Sequence, residues 1–202
     1  MAHNAASARL LVLGSSSRYR AELLGRLGIT FTQTSPDIDE TALAEELPAD
    51  MVLRLAAAKA EAVAGIHPDA IIVASDQVAS VDERVLGKPG SEPNAIAQLQ
   101  ALSGNRVTFY TSLHVRDAAS GTQVSELDIT EVQFRPLSIG QIKRYVAVEQ
   151  PLDCAGAFKS EGLGIAMFEH IKSDDPTALI GLPLIKLCSA LATLGQPVLG
   201  SD

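Results

Sequence analysis

"LVLGSSSRYRAELL", residues 11–24, decides the architecture because three kinds of element follow one another within it. Arg9–Leu13 is an apolar run that reads as a buried strand. Gly14, Ser15, Ser16 and Ser17 make a loop. Ser17–Leu27 reads as a helix with Leu23, Leu24 and Leu27 on one face, and Gly28 suits its stop. That helix opens with Arg18 and Arg20, although the positive end of a helix dipole favours acids there. A strand, a Gly-Ser loop and a helix N-terminus together turn free backbone N–H groups outward, which suits an anion. The serine hydroxyls add donors, and Arg20 adds a guanidinium fork that matches phosphate. Taken alone, the loop is equally well explained by Ser17 capping a helix whose arginines are solvated.

The pattern continues outward from this unit. Ile29–Thr34 reads as a second strand, ending in "SPDIDE" (35–40). Residues 49–67 form a long amphipathic helix with Val52, Leu55, Ala56, Ala62 and Val63 as its apolar stripe, and Lys59 interrupts its alanine-rich run. Ala70–Val81 begins with a nearly continuous apolar run, as a central strand does. "LGKPGSEP" (86–93) is a loop and Asn94–Leu102 a helix. Val107–Val115 and Thr122–Phe134 pair as a long hairpin around the turn at Ala119–Gly121. Ser138–Val148 is a helix with Ser138 as N-cap. "GAFKSEGLGIAMFEHI" (156–171) is loop then strand, and Leu182–Leu194 a closing helix with Pro183 in its first turn. Strands alternating with helices imply an α/β fold on a mixed central sheet flanked by helices. The long hairpin excludes a purely doubly wound parallel sheet.

With 202 residues, 47% hydrophobic and 20% charged, the chain suits one sizeable α/β domain over residues 1–202, with residues 1–8 as a flexible extension. Aromatics make up only 4%, so the core is expected to rest on Leu, Ile, Val and Ala. A net charge of −8 argues against binding polymeric nucleic acid, although a small polyanion can be held where cations converge. The two cysteines, Cys154 and Cys188, have neither disulfide nor zinc spacing. No stretch is long and apolar enough to be a signal core or a membrane span, so a soluble cytoplasmic protein is expected.

Three further features carry chemistry. Asp37, Asp39 and Glu40 can hold a hard divalent cation, or form a solvated acidic turn. Asp76, in "IIVASDQV" (71–78), is an acid directly after an apolar strand, awkward to bury without a partner or a task. Lys59, Lys88 and Lys159 sit in or beside segments that could border one pocket as a phosphate cage. The chain lacks GxxxxGK[ST], GxSxG, SxxK and HExxH, and no GxGxxG follows a strand. P-loop ATPases, common serine hydrolases, zincins and Rossmann dehydrogenases are therefore disfavoured. Residue spacing alone points to a metal-dependent phosphate-handling site.

These residues also carry a resemblance. "LVLGSSSRYRAELL" resembles the LASxSPRRxELL signature of the Maf-like nucleoside triphosphate pyrophosphatases. "SPDIDE", "AAAKAEAV", "IIVASDQV", "LGKP", "FYTSLHV", "CAGAFKSEG" and "IGLPL" follow in that family's order, from about Arg9 to Leu194. The resemblance implies a fold like the inosine-triphosphate pyrophosphatases, two lobes with a cleft between them. It also implies hydrolysis of a nucleoside triphosphate between the α and β phosphates with a divalent metal cation, Mg²⁺ or Mn²⁺. Asp76 then falls on the proton acceptor, Ser15, Ser17 and Arg20 on the loop donors, and Glu40 with Asp76 on the metal. Lys59 and Lys88 fall on the family's lysines. Gln77 and Glu161 resemble the branch acting on 7-methyl-GTP rather than that acting on dTTP and UTP. Tyr19 stands where the former has Trp, and an aromatic there can stack on a cationic base. Arg18 replaces the family's proline, Ala21 an arginine and Gly14 an alanine. The resemblance further implies a small-molecule nucleotide substrate and a homodimer. The same reaction on canonical dTTP or UTP is one alternative, and a nucleotide-binding regulator of septum formation and cell division is another, from a different class.

Overall fold

Leu11–Gly14 is buried throughout and forms strand β1. In the computed structural model, which describes residues 9–82 and 84–200, it lies inside a sheet. The extension expected over 1–8 lies outside the described residues. Helix α1 (Arg18–Gly25) follows the serine loop, and Ser17 caps it by accepting the Arg20 backbone N–H. The helix ends earlier than expected, and Gly28 serves the turn beyond it at φ +69°. Strand β2 (Phe31–Thr34) pairs parallel with β1, as β1 does with β3 (Ile71–Val81).

Between β2 and β3 runs helix α2 (Pro48–Ile66). Its buried face includes Val52, Leu55, Ala56, Ala60 and Val63, so Ala60 takes the place expected of Ala62. Strand β4 (Arg84–Leu86) pairs antiparallel with the end of β3, within a stretch whose start at Leu86 reads as loop. Three partly exposed residues carry too little periodicity to announce a strand. Helix α3 (Glu92–Leu102) starts before Asn94, because Ser91 caps it and Pro93 fits its first turn.

The expected hairpin is present and longer. Strands β5 (Arg106–Asp117) and β6 (Gln123–Phe134) pair antiparallel along almost their whole length. The Asp117 carboxylate accepts the Ala119 and Ser120 N–H groups and so closes the turn. Helix α4 (Ile139–Glu149) opens with a reciprocal capping box between Ser138 and Gln141. Strand β7 (Phe168–Lys172) pairs with β6, and helix α5 (Leu184–Thr193) closes the chain. Pro183 is the N-cap of α5 rather than part of its first turn. The sheet order is β2-β1-β3-β5-β6-β7, with β4 beside β3. It is a mixed sheet with helices packed against it.

The apolar core is divided, and the division places the site. One part gathers Leu11, Leu13, Leu23, Leu24, Ile71 and Leu113 with α5. Another gathers Leu99, Val107, Phe109, Val132, Ile142 and Phe158. The second is more aromatic than the composition suggests: Phe109, Phe134, Phe158 and Phe168 meet edge to face at 4.9–5.6 Å between ring centroids. Strands β3 and β5 run through both parts. Where they cross from one to the other, their apolar runs break into Ser75, Asp76 and Gln77 on β3 and Thr111 and Ser112 on β5. Asp76 lies opposite Ser112, and Gln77 opposite Thr111.

Candidate active site

A cleft of about 620 Å³ opens at that break, walled in part by Phe109, Phe158 and Leu179 of the second core part. Ser15, Ser17, Tyr19, Arg20, Glu40, Lys59, Asp76, Gln77, Lys88 and Glu161 all line it. The residues on which the resemblance places catalysis, substrate binding, base specificity and metal binding thus lie on one cavity.

Asp76 sits within β3, not after it, and is 7% exposed. A carboxylate so placed needs a cation. Lys59 supplies one: its Nζ lies 2.6 Å from Asp76 Oδ1 and 2.8 Å from Glu40 Oε1. Lys59 is itself 5% exposed, on the buried face of α2, so the apparent interruption of an alanine-rich helix is an inward-facing ammonium. That hydrogen bond holds the Glu40 carboxyl below the usual carboxylate range, with Lys88 and Arg20 adding to the effect. The Ser112 hydroxyl meets the Asp76 backbone N–H at 3.2 Å and donates to the Val52 carbonyl at 2.6 Å. Strand β5 thereby ties β3 to helix α2.

The serine loop forms the facing wall. Ser15 is buried; its Oγ accepts from the Ser17 N–H at 3.1 Å and from Arg20 Nη1 at 3.4 Å. Arg20 Nε donates to the Gly181 carbonyl at 2.9 Å, and Ser75 Oγ donates to the same oxygen at 2.8 Å. Gly181 has φ +124°, and a Cβ there would stand 3.5 Å from Arg20 Nε. Its backbone is therefore set for glycine beside this guanidinium. Arg20 and Lys88 form no ion pair with a carboxylate among the described residues. Desolvation lowers the Arg20 pKa, while Asp76 and Glu40 nearby oppose that effect. A desolvated guanidinium held only by carbonyl and hydroxyl oxygens is ready for an anion.

The segment carrying Gly181 is held from below. Asp175, 1% exposed, accepts the Thr177 N–H and hydroxyl through Oδ1 and the Ile185 N–H through Oδ2, at 2.7–3.1 Å. Gln77 Nε2 meets Thr111 Oγ1 and the carbonyls of Ala178 and Leu179 at 2.8–3.2 Å. The Gln77 amide nitrogen is thus committed to the frame. Asp175, Ser75, Ser112 and Gly181 were not among the site residues read from sequence. Ser75, Ser112 and Gly181 lie within quoted motifs, but their contacts are with other elements; Asp175 binds Thr177 two residues on and Ile185 at the start of α5.

At the other end, Tyr19, Arg18, Asp153, Cys154 and Glu161 line the cleft. Arg18 Nη2 donates to the Tyr19 hydroxyl at 2.8 Å, and its guanidinium carbon stands 4.7 Å from the ring centroid. Burial pushes the Cys154 thiol up to about 12, which keeps it neutral and makes it a poor nucleophile. Cys188 does not line the cleft.

Side-chain placement corrects one sequence expectation, for Lys159, and selects the acidic-turn alternative for Asp37 and Asp39. Lys159 is no part of a phosphate cage: its Nζ donates to the Glu149 carbonyl at 2.5 Å, at the end of α4. Asp37 and Asp39 are absent from the lining, and Asp39 closes its own turn by accepting the Thr41 N–H at 2.9 Å. The lining carries charges of both signs, as expected from Glu40, Asp76 and Glu161. Arg18, Arg20, Lys59 and Lys88 share it with Glu40, Asp76, Asp153 and Glu161. Among the described residues, no group of three or more His, Cys, Asp or Glu side chains is placed to hold a metal. No helix among them is long and apolar enough to cross a membrane.

The Maf-like protein family model matches residues 10–194. The chain belongs to that family. It is 50% identical over 192 residues to the 7-methyl-GTP pyrophosphatase of Cupriavidus metallidurans, covering 95% of this chain and 96% of the relative. It is 50% identical over 189 residues to the 7-methyl-GTP pyrophosphatase of Nitrosococcus oceani, covering 94% and 95%. The protein of the same name from Burkholderia pseudomallei is 48% identical over 204 aligned positions, covering 100% and 95%. Within this Maf-like chain, the matched span contains every cleft residue described above.

Proposed function

We propose that the cleft hydrolyses a nucleoside triphosphate between its α and β phosphates, releasing the monophosphate and pyrophosphate, with 7-methyl-GTP as the preferred substrate. One observation carries the reading: Lys59 bridges Asp76 and Glu40 opposite Arg20, beside Lys88, which pairs with no carboxylate among the described residues. The names of the relatives support the same reaction and base.

In this reading a water oxygen bonds to the α phosphorus while the bond to the α–β bridging oxygen breaks. Pyrophosphate leaves with that electron pair. Lys59 engages Asp76 through Oδ1, which leaves Oδ2 to orient the water and accept its proton. Arg20 and Lys88 bind the phosphates and spread the charge that moves onto the leaving group. Ser15 holds the Arg20 fork, and Ser17 keeps the α1 N-terminus in place. At the base end, Tyr19 stacks on the ring, Glu161 accepts from the N–H groups of the base, and Gln77 fixes the adjoining wall.

The donor set also fits a divalent metal cation. Glu40 and Asp76 offer hard carboxylate oxygens at one point, the number Mg²⁺ or Mn²⁺ uses when phosphates and water complete its shell. Such an ion, held by these two residues, would neutralise phosphate charge. In the same reading the protein works in the cytoplasm on a free nucleotide, not on polymeric nucleic acid or a membrane, and assembles as a homodimer.

The test incubates the protein and Mg²⁺ or Mn²⁺ with normal and methylated triphosphates. Pyrophosphate should be released, fastest from 7-methyl-GTP. Orthophosphate release overturns the bond assignment, and equal rates on UTP overturn the base assignment.

A further inference from the structure

Arg18 stands at the first position of α1, where the helix dipole disfavours a cation. Neighbouring residues on a helix do not normally face each other, yet this side chain folds back onto Tyr19. It holds the ring in two ways, by a hydrogen bond to the hydroxyl at 2.8 Å and by a guanidinium carbon 4.7 Å from the centroid. Both residues line the cleft at its base end, close to Asp153. The guanidinium is planar, cationic and rich in N–H donors. A 7-methylated guanine has the same three properties.

We propose that Arg18 is a specificity-determining residue which, by stacking on Tyr19, weakens the preference of the cleft for a cationic base over its neutral counterpart. The inference rests on the reading that Tyr19 seats the base. The electrostatics hold for either face of the ring. On the same face, guanidinium and methylated base compete for one contact. On opposite faces, two cations draw on one π system, whose attraction for the second is reduced by the first. A neutral guanine carries no charge to be opposed, so it loses less.

Steady-state kinetics on 7-methyl-GTP and GTP test this for the natural protein and for Arg18→Ala and Arg18→Gln, together with calorimetric binding of 7-methyl-GMP and GMP. Both substitutions should raise the ratio of kcat/KM for 7-methyl-GTP over GTP by about two- to fivefold, the range of an exposed cation–π contact. The change should appear in KM and in the monophosphate Kd, with kcat little altered. An unchanged or lower ratio in both variants overturns the proposal. Tyr19→Ala separates the two readings. If it leaves KM and Kd unchanged for both nucleotides, the base is not seated there and the underlying assignment fails. If it weakens 7-methyl-GTP while the Arg18 variants leave the ratio unmoved, the role of Arg18 alone falls.

Discussion

The two ends of the cleft are built differently. At the end proposed to hold the phosphates, Lys59 and Asp76 are buried, Ser15 is buried, and Arg20 is held on two oxygens. Most of these groups are tied to another element, so their geometry exists before any ligand arrives. At the end proposed to hold the base, Arg18 and Glu161 are exposed, and Tyr19 is fastened mainly by its own neighbour. A preorganised end suits bond cleavage, because charge stabilisation without rearrangement lowers a barrier. A loosely held end suits selection, because single residues there can change without disturbing the chemistry.

Substitutions can break that contrast. The largest effect is expected from Asp76→Asn, which should lower kcat by about 10²–10⁴-fold while nucleotide binding remains measurable by calorimetry. Near-normal turnover would remove Asp76 from the reaction. Arg20→Ala comes next: one charge-assisted contact to phosphate is lost, for about 10–100-fold in kcat/KM on all triphosphates alike. Were the loss confined to one base, Arg20 would belong to the other end.

Smaller still is Glu161→Gln, which should raise KM for 7-methyl-GTP about three- to tenfold and leave GTP nearly untouched. An equal effect on both would show that Glu161 does not read the methylated base. The smallest effect concerns pH. Lys59 lowers the folded-state pKa of Glu40. Its contribution to stability is therefore complete above the ordinary glutamate value of 4.5 and is lost as pH falls through the lower folded value. Glu40→Gln should flatten that part of the acid limb in a thermal-melt series, and an unaltered limb would mean the pair contributes nothing in solution.

Much of the fold is legible because its signals are local. Apolar runs, the Ser17 and Ser138 caps and the turn before Gly121 each act within a few residues. Strand β4 is the exception, being short and partly exposed. The site is legible in part for another reason: its motifs lie in one order along the chain. What escapes is anything that depends on facing. Lys59 and Lys159 look alike in sequence, as lysines in or beside candidate walls. Only α2 turns its lysine inward onto a buried acid, whereas Lys159 reaches back to the Glu149 carbonyl.

By itself the sequence determined the α/β alternation, the Gly-Ser loop before α1 and the residue types able to handle phosphate. These follow from periodicity and side-chain chemistry, which are properties of the chain. The tertiary structure decided which of them meet. Pairing of β3 with β5 set Asp76 beside Ser112, and packing of α2 brought Lys59 to Asp76. The loop before α5 delivered the Gly181 carbonyl to Arg20. A buried charge is tolerated only with its partner, and partners so far apart in the chain are brought together only by the fold.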